Sequence, residues 1–225
     1  MHTRYVTWDE AVEIFRRRGL AEETYRNLYQ EEYILHPGPA RVDGPFPLNF
    51  HEDAHPWNAD TPEAATGYIV DGDLAIEGNL YDEDDGAAAL VVLGTLKARD
   101  VFLTCDTKLI VLGDVEVGLF AGEMTDKLVM LHGDLRTVVT ALDAEFEPDL
   151  VAGRHSGRLI APSYAGLDVE DATAGRPLSD LLVDEVISGD GVDFDALRER
   201  VPAGEPVIRP GLVAGDGRQS PSSES

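Results

Sequence analysis

The chain has 225 residues, a length that supports one sizeable hydrophobic core or two small ones. Its 18 basic and 43 acidic side chains give a net charge of −25, which repels nucleic-acid phosphates and anionic lipid headgroups. We therefore expect neither nucleic-acid nor membrane-surface binding. One cysteine, Cys105, cannot form an internal disulfide, and neither a secretory leader nor an apolar run of membrane-spanning length is found, so a cytoplasmic location is expected.

The N-terminal segment predicts two helices. Thr7 and Glu10 have the spacing of a capping box, apolar residues recur after them at helical intervals, and Gly19 is placed to end the helix. A second helix is expected over residues 21–33. Glutamates in this segment would face phosphates with the wrong charge, which disfavours a DNA-reading helix-turn-helix. Residues 1–35 are instead predicted to form an N-terminal helical cap.

Residues 36–66 are rich in proline, which removes backbone donors, and are predicted to form a connection with at most one edge strand near Phe46–Phe50. The segment also contains potential metal ligands. Their spacing matches no defined zinc motif, so no metal site is predicted from His51, Glu52, Asp53 and His55.

The strongest signal is an internal repeat in the middle of the chain. Each copy has an apolar pair, a spacer, a glycine, Asp or Thr, a large aliphatic residue, a variable residue, and then a small or β-branched one. The glycines lie 22, 19 and 20 residues apart, at Gly72, Gly94, Gly113 and Gly133. A degenerate fifth copy is expected at Gly157. A second apolar stretch follows each glycine, so each unit is predicted to hold two or three strands.

A period of about 20 residues is typical of a coil of parallel strands in which each turn stacks on its neighbours. The sequence therefore predicts a mainly β chain with a parallel β-helix, or β-solenoid, of about four to five turns over residues 67–162. The glycines are expected at corners, because glycine tolerates positive φ and close backbone approach. An antiparallel sandwich is the alternative, but it does not explain why the glycine motif recurs in phase.

The C-terminal third is predicted to be less regular. Residues 163–214 are expected to form a C-terminal helical cap with a helix over Leu178–Ile187, capped by Ser179, and a shorter helix ending at Arg200. A last strand is expected at Val207–Ile208. The polar tail, residues 215–225, is predicted to be disordered.

Two acidic clusters are the main candidates for chemistry. Asp82, Glu83, Asp84 and Asp85 precede a glycine, but the ligand pattern of a calcium loop is absent, so a solvated turn or a contact for a basic partner is predicted. Asp143, Glu145, Glu147 and Asp149 alternate with other residues, and paired carboxylates cleave sugars in some β-helix enzymes. No catalytic residue and no cofactor are predicted.

At the repeats, over Gly67 to Ala144, the chain resembles the bactofilin-like, polymer-forming cytoskeletal proteins of bacteria. The resemblance implies a right-handed parallel β-helix and a non-enzymatic scaffold that self-associates through its coil without nucleotide. This chain differs from that pattern in its high negative charge and in the helices expected at both ends. Helical caps would cover the strand edges through which coils stack end to end.

Three functions follow from these observations. The first is a non-enzymatic scaffold or interaction protein that binds a protein partner or itself. The second is an acidic inhibitor or immunity-type protein that neutralises a basic partner through Asp82 to Asp85. The third is a carbohydrate-active enzyme that uses two of the carboxylates Asp143, Glu145 and Asp149.

Overall fold

The computed structural model describes residues 2–48, 56–57, 60–61, 65–82, 88–124, 126–163, 165–171 and 173–214. These residues form the predicted β-solenoid, in which strands stack in parallel along one axis. The strands of the coil, preceded by one N-terminal strand, are β1 (Arg4–Val6), β2 (Tyr33–His36), β3 (Ala40–Val42), β4 (Phe46–Pro47), β5 (Gly67–Val70), β6 (Leu74–Ile76), β7 (Leu80–Tyr81), β8 (Ala89–Val92), β9 (Leu96–Lys97), β10 (Asp100–Leu103), β11 (Lys108–Val111), β12 (Val115–Glu116), β13 (Leu119–Glu123), β14 (Leu128–Leu131), β15 (Leu135–Asp143), β16 (Leu150–Val151) and β17 (His155–Ile160).

Four turns of the coil contain three separate strands each: β2 to β4, β5 to β7, β8 to β10 and β11 to β13. In the two turns that follow, the second and third strands merge, so β14 leads into β15 and β16 into β17. We name the three sides by their strands. Face A contains β2, β5, β8, β11, β14 and β16; face B contains β3, β6, β9, β12 and the first part of β15; face C contains β4, β7, β10, β13 and the rest of β15.

Neighbouring turns run in the same direction and in register, which excludes the antiparallel sandwich. On face A, for example, Tyr68 pairs with Ile34 of the preceding turn and with Leu90 of the following one. On face B the inward positions form one ladder, which consists of Ala40, Leu74, Leu96, Val115, Leu135 and His155. All six side chains are buried, and each fully buried Leu or Val contributes about 1.5–3 kcal/mol.

The coil begins earlier than the sequence analysis placed it. The proline-rich segment contains β3 and β4, which pair in parallel with β6 and β7, so it supplies part of the first turn. Only the edge strand at Phe46 was anticipated. The prolines are tolerated because Pro39 and Pro45 lie at the corners of the outermost turn, beside Gly72 and Gly78 of the next turn.

The fifth glycine repeat is also placed differently from the prediction. Gly153, 20 residues after Gly133, occupies the corner, and its amide N–H donates to the Gly133 carbonyl at 3.1 Å. Gly157, the predicted copy, lies inside β17 next to the parallel bridge between Ser156 and Glu170.

The two helices of the N-terminal segment lie along the outer side of face A and not across the end of the coil. Helix α1 (Trp8–Arg18) has the predicted capping box and ends at Gly19 with φ 79°. Helix α2 spans only Glu22–Tyr25, because Tyr33 and the residues after it pair in β2 and are buried in the coil. Phe15 and Tyr25 pack on the outward apolar residues of four successive turns, which are Leu35, Ile69, Val91 and Ile110.

The C-terminal segment lies on the outer side of face C, again along the coil and not across its end. It contains two 3-10 turns, Leu178–Asp180 and Asp184–Val186, the hairpin of β18 (Ile187–Ser188) and β19 (Gly191–Val192), and helix α3 (Phe194–Arg200). Its buried Leu181, Leu182 and Leu197 share one core cluster with Phe102 and Leu119 of the coil.

The elements of this C-terminal segment agree only partly with the predictions. Helix α3 ends at Arg200 as expected and is capped by Asp193, whereas the predicted helix over 178–187 is interrupted, and Ser179 lies inside the first 3-10 turn instead of capping it. The interruption occurs because extended Val183 donates its amide N–H to the Val207 carbonyl at 2.9 Å. The strand expected at residues 207–208 is a single bridge between Ile208 and Leu182.

Candidate functional site

The four predicted corner glycines permit close contact between turns. A Cβ atom at Gly94 would lie 2.6 Å from the Gly72 carbonyl carbon, and one at Gly133 would lie 2.4 Å from the Gly113 oxygen. A Cβ atom at Gly113 would lie 2.8 Å from the Gly94 carbonyl carbon, and one at Gly72 would lie 2.7 Å from the Pro39 nitrogen. None of the four has a positive φ, so close approach alone requires glycine here, and the expectation of left-handed backbone is wrong.

The aspartate that follows the glycine in several repeats bonds to the next turn. Asp73 accepts a hydrogen bond from the Thr95 amide at 2.8 Å, Asp114 from the Asp134 amide at 2.9 Å, and Asp134 from the Arg154 amide at 2.9 Å. This amide hydrogen bond is the largest cause of the lowered pKa of Asp114. The repeated Gly-Asp pair is therefore a structural device of the corner.

Asp82, predicted as part of an exposed acidic contact, is fully buried at the end of the third strand of its turn. Its Oδ1 accepts the Thr104 amide at 2.6 Å, and burial raises the pKa of this carboxyl well above its ordinary value. Asp82 is therefore unavailable to a basic partner. Glu83, Asp84 and Asp85 lie outside the described residues.

The carboxylates proposed for sugar cleavage lie near the last turns. Asp149 accepts hydrogen bonds from Lys127 Nζ at 3.1 Å and from the Val129 amide at 2.8 Å, so it joins two turns. Asp143 ends β15, and Glu145 and Glu147 line a shallow cleft of about 260 Å³ with Phe146. Among the residues that the structure describes, no group of three potential metal ligands is found. The histidines and acids at 51–55 lie outside them.

The two ends of the coil differ. At the N-terminal end, β1 pairs antiparallel with β2 and so covers the edge of face A. Trp57 packs beside the first turn with its ring 5.0 Å from that of Phe46, 5.6 Å from that of His36 and 5.7 Å from that of Tyr68. Face A of the first turn is therefore covered by an antiparallel strand, whereas β3 and β4 pair on one side only, with β6 and β7, among the described residues.

At the C-terminal end of the coil the edge of face A has no covering strand in the described chain, and this end forms the candidate functional site, which we call the C-terminal coil end. Within the described residues, β16 pairs only with β14, and Arg158–Ile160 of β17 pairs only with β15. Residues near Glu170 bond to the first part of β17 and leave the remainder uncovered. The inward residues at this end, Val151, Leu159 and Ala161, are half-buried, and Leu167 of the segment after β17 packs against the same interior cluster.

A buried polar cluster lies inside the coil at the same end. His155 takes the ladder position that leucine or valine occupies in the four preceding turns, and its Nε2 lies 2.8 Å from Thr140 Oγ1. Thr140 Oγ1 is in turn 3.0 Å from Thr137 Oγ1. Burial lowers the pKa of His155 to about 4, so the ring is neutral at pH 7. The turn closest to the C-terminal coil end thus has a less apolar interior than those before it.

His132 follows β14, lies half-buried, and places Nε2 3.3 Å from Thr24 Oγ1, where it joins the N-terminal segment to the fifth turn. Cys105 follows β10, and its Sγ lies 3.5 Å from the sulfur of Met124. Both residues serve contacts between elements.

Sequence reasoning missed the C-terminal coil end because it assigned the open strand edges to helical caps. One signal was present: after Gly153 the 20-residue period stops, and Pro162 follows β17.

Comparisons with protein-family models, with curated proteins and with solved structures found no match. The resemblance to bactofilin-like proteins therefore stays a prediction from the repeats. None of the helices in the described part of the chain combines the length and apolar character needed to cross a bilayer.

Proposed function

We propose that this protein is a non-enzymatic scaffold that associates with a second copy of itself through the C-terminal coil end. The observation that carries the proposal is the pair of strands, β16 and the second part of β17, that have a partner on one side only in the described chain. Unpaired strand edges are templates for pairing with another chain.

A second copy is the occupant that fits this edge best. Two identical ends brought together by a two-fold axis would pair their edge strands and bury the half-buried residues Val151 and Leu159 against their equivalents. At the N-terminal end β1 covers the edge of face A, and Pro47 has no backbone N–H to donate from β4, so a dimer of two C-terminal ends is favoured over the filament that the bactofilin-like resemblance implies.

Net charge gives the association a characteristic dependence on salt. Two chains of charge −25 repel each other, and this repulsion weakens as the Debye length falls from about 30 Å at 0.01 M to about 8 Å at 0.15 M salt. Dimerisation is therefore expected to strengthen with salt. An acidic inhibitor bound to a basic partner would show the opposite dependence.

Sedimentation velocity and light scattering over a range of protein and salt concentrations test the proposal. The wild-type chain is expected to form dimers, and Val151→Lys, which adds a charge at the edge, is expected to remain monomeric. Val213→Lys, at an apolar position that is 64% exposed, is the matched control and should dimerise like wild type. A wild-type chain that stays monomeric at all concentrations would contradict the proposal, and so would Val151→Lys dimers of unchanged affinity.

A further inference from the structure

A cleft on the outer side of the N-terminal segment has a charged lining that neither the fold nor the proposed association explains. It lies between α1 and residues 22–30 and has a volume of about 420 Å³, within the range of small-ligand sites. Its apolar wall consists of the half-buried Trp8 and Val12 and the buried Tyr25.

The cleft contains two arginines that have no partner. In the described chain, every lysine and every other arginine makes an ion pair or a hydrogen bond, as Arg17 and Arg18 do with Asp71 on the neighbouring side of α1. Arg16 and Arg26 make neither, and both line the cleft. Both guanidinium groups are exposed and line one cleft, where a single anionic group of a ligand would pair with both.

Carboxylates share the cleft with these arginines. Asp9, Glu13 and Glu22 line it as well, and none of them forms an ion pair or a side-chain hydrogen bond. A purely anionic ligand would be repelled by them, and a purely cationic one would leave both arginines unpaired. A ligand that carries both charges satisfies both sets.

We propose that this cleft binds a free α-amino acid with an apolar side chain. Its carboxylate would pair with Arg16 and Arg26, its ammonium group with one or more of the three carboxylates, and its side chain would contact Trp8, Val12 and Tyr25. Aromatic and aliphatic walls with a few convergent charged groups are the usual composition of such sites.

Three related probes separate the contributions of the two charges. L-phenylalanine carries both, 3-phenylpropanoate carries only the carboxylate, and 2-phenylethylamine carries only the ammonium group. Isothermal titration of the full chain is expected to show saturable binding of L-phenylalanine, with each single-charge analogue at least roughly tenfold weaker, because each analogue lacks one of the two sets of charge-assisted hydrogen bonds. The indole N–H resonance of Trp8 should shift on binding, while that of Trp57, in the core beside Phe46, should not.

Substitutions complete the test. Arg16→Gln and Arg26→Gln are each expected to weaken L-phenylalanine roughly tenfold or more and to leave 2-phenylethylamine unchanged or tighter. Arg154→Gln, at an exposed arginine outside the cleft, is the control and should bind like wild type. Thermal unfolding of each variant shows whether the fold is retained. Glu13→Gln replaces any arginine variant that does not fold, and it is expected to weaken binding of the two probes that carry an ammonium group and not of 3-phenylpropanoate. Absence of saturable L-phenylalanine binding, equal affinity for the three probes, or uniform weakening by either arginine substitution would overturn the proposal.

Discussion

Replacement of Asp100 by asparagine should make the protein less sensitive to alkaline pH. Asp100 begins β10, is 1% exposed, and accepts the Leu119 amide at 2.9 Å through Oδ1. Its Oδ2 is buried without a hydrogen-bond partner among the described residues, and Arg99 Nε lies 3.9 Å away. The corresponding position of the preceding turn, one residue before the paired Leu80, is Asn79, so this corner of the coil accommodates an amide.

The size of the pH-dependent change in the free energy of unfolding follows from the pKa of Asp100. Burial raises this pKa from 3.8 to about 6, so the folded state favours the protonated carboxyl. Such a group stabilises the fold below its unfolded pKa, and this stability is lost as the pH rises through 6. The full loss is about 3 kcal/mol, of which about 1 kcal/mol falls between pH 5 and pH 7.5, from the linkage of proton binding to folding.

Urea unfolding of wild type and Asp100→Asn at pH 5 and pH 7.5 measures this difference. We expect the free energy of unfolding of wild type, relative to the variant, to fall by about 1 kcal/mol between the two pH values. Because other titrating groups are common to both proteins, their contributions cancel in the comparison. Identical pH dependence of the two proteins would refute the buried-carboxylate account of Asp100.

Two further substitutions test the corner and the interior of the coil. Gly133→Ala should destabilise the fold by about 1–3 kcal/mol in urea unfolding, because its Cβ would lie 2.4 Å from the Gly113 oxygen. The control Gly191→Ala, whose Cβ would have its nearest neighbour at 3.8 Å, should unfold with nearly the same free energy as wild type. Equal destabilisation by the two substitutions would contradict the close-packed corner. For His155→Leu, the free energy of unfolding of wild type relative to the variant should fall by about 2 kcal/mol between pH 7.5 and pH 5. The reason is that a fold containing a buried histidine with its pKa lowered to about 4 is destabilised as the pH drops. Parallel pH dependence of stability in the two proteins would show that His155 is not held neutral.

The sequence predicted the coil from its glycine repeats because each corner needs the same residue for the same reason. Close approach of consecutive turns excludes any side chain at Gly94 or Gly133, and this requirement recurs once per turn. The first turn was missed because the residues between β4 and β5 lengthen its period: Ile34 pairs with Tyr68, 34 positions away, where later turns are offset by about 20.

The positions of the terminal segments were not predictable from the repeats alone. Inward residues alternate along each strand and identify the core of the coil. The outward residues Ile69, Val91 and Phe102 are also apolar, and their apolar character indicates that two sides of the coil are covered by other segments. Local helix signals located α1 and α3 correctly. They carry no information about whether a helix packs on a side or an end, and that choice decides which strand edges remain open.

Distances between spin labels on face B test most directly whether the chain is a parallel stack of turns. Arg41, Ala75, Lys97 and Ser156 occupy the same outward ladder in different turns. In a Cys105→Ser background, labels at Ser156 paired with Arg41, Ala75 or Lys97 should show backbone separations of about 24, 19 and 14 Å, a step of about 5 Å for each turn. Distances that do not shorten in this order would contradict the solenoid and the open end inferred from it.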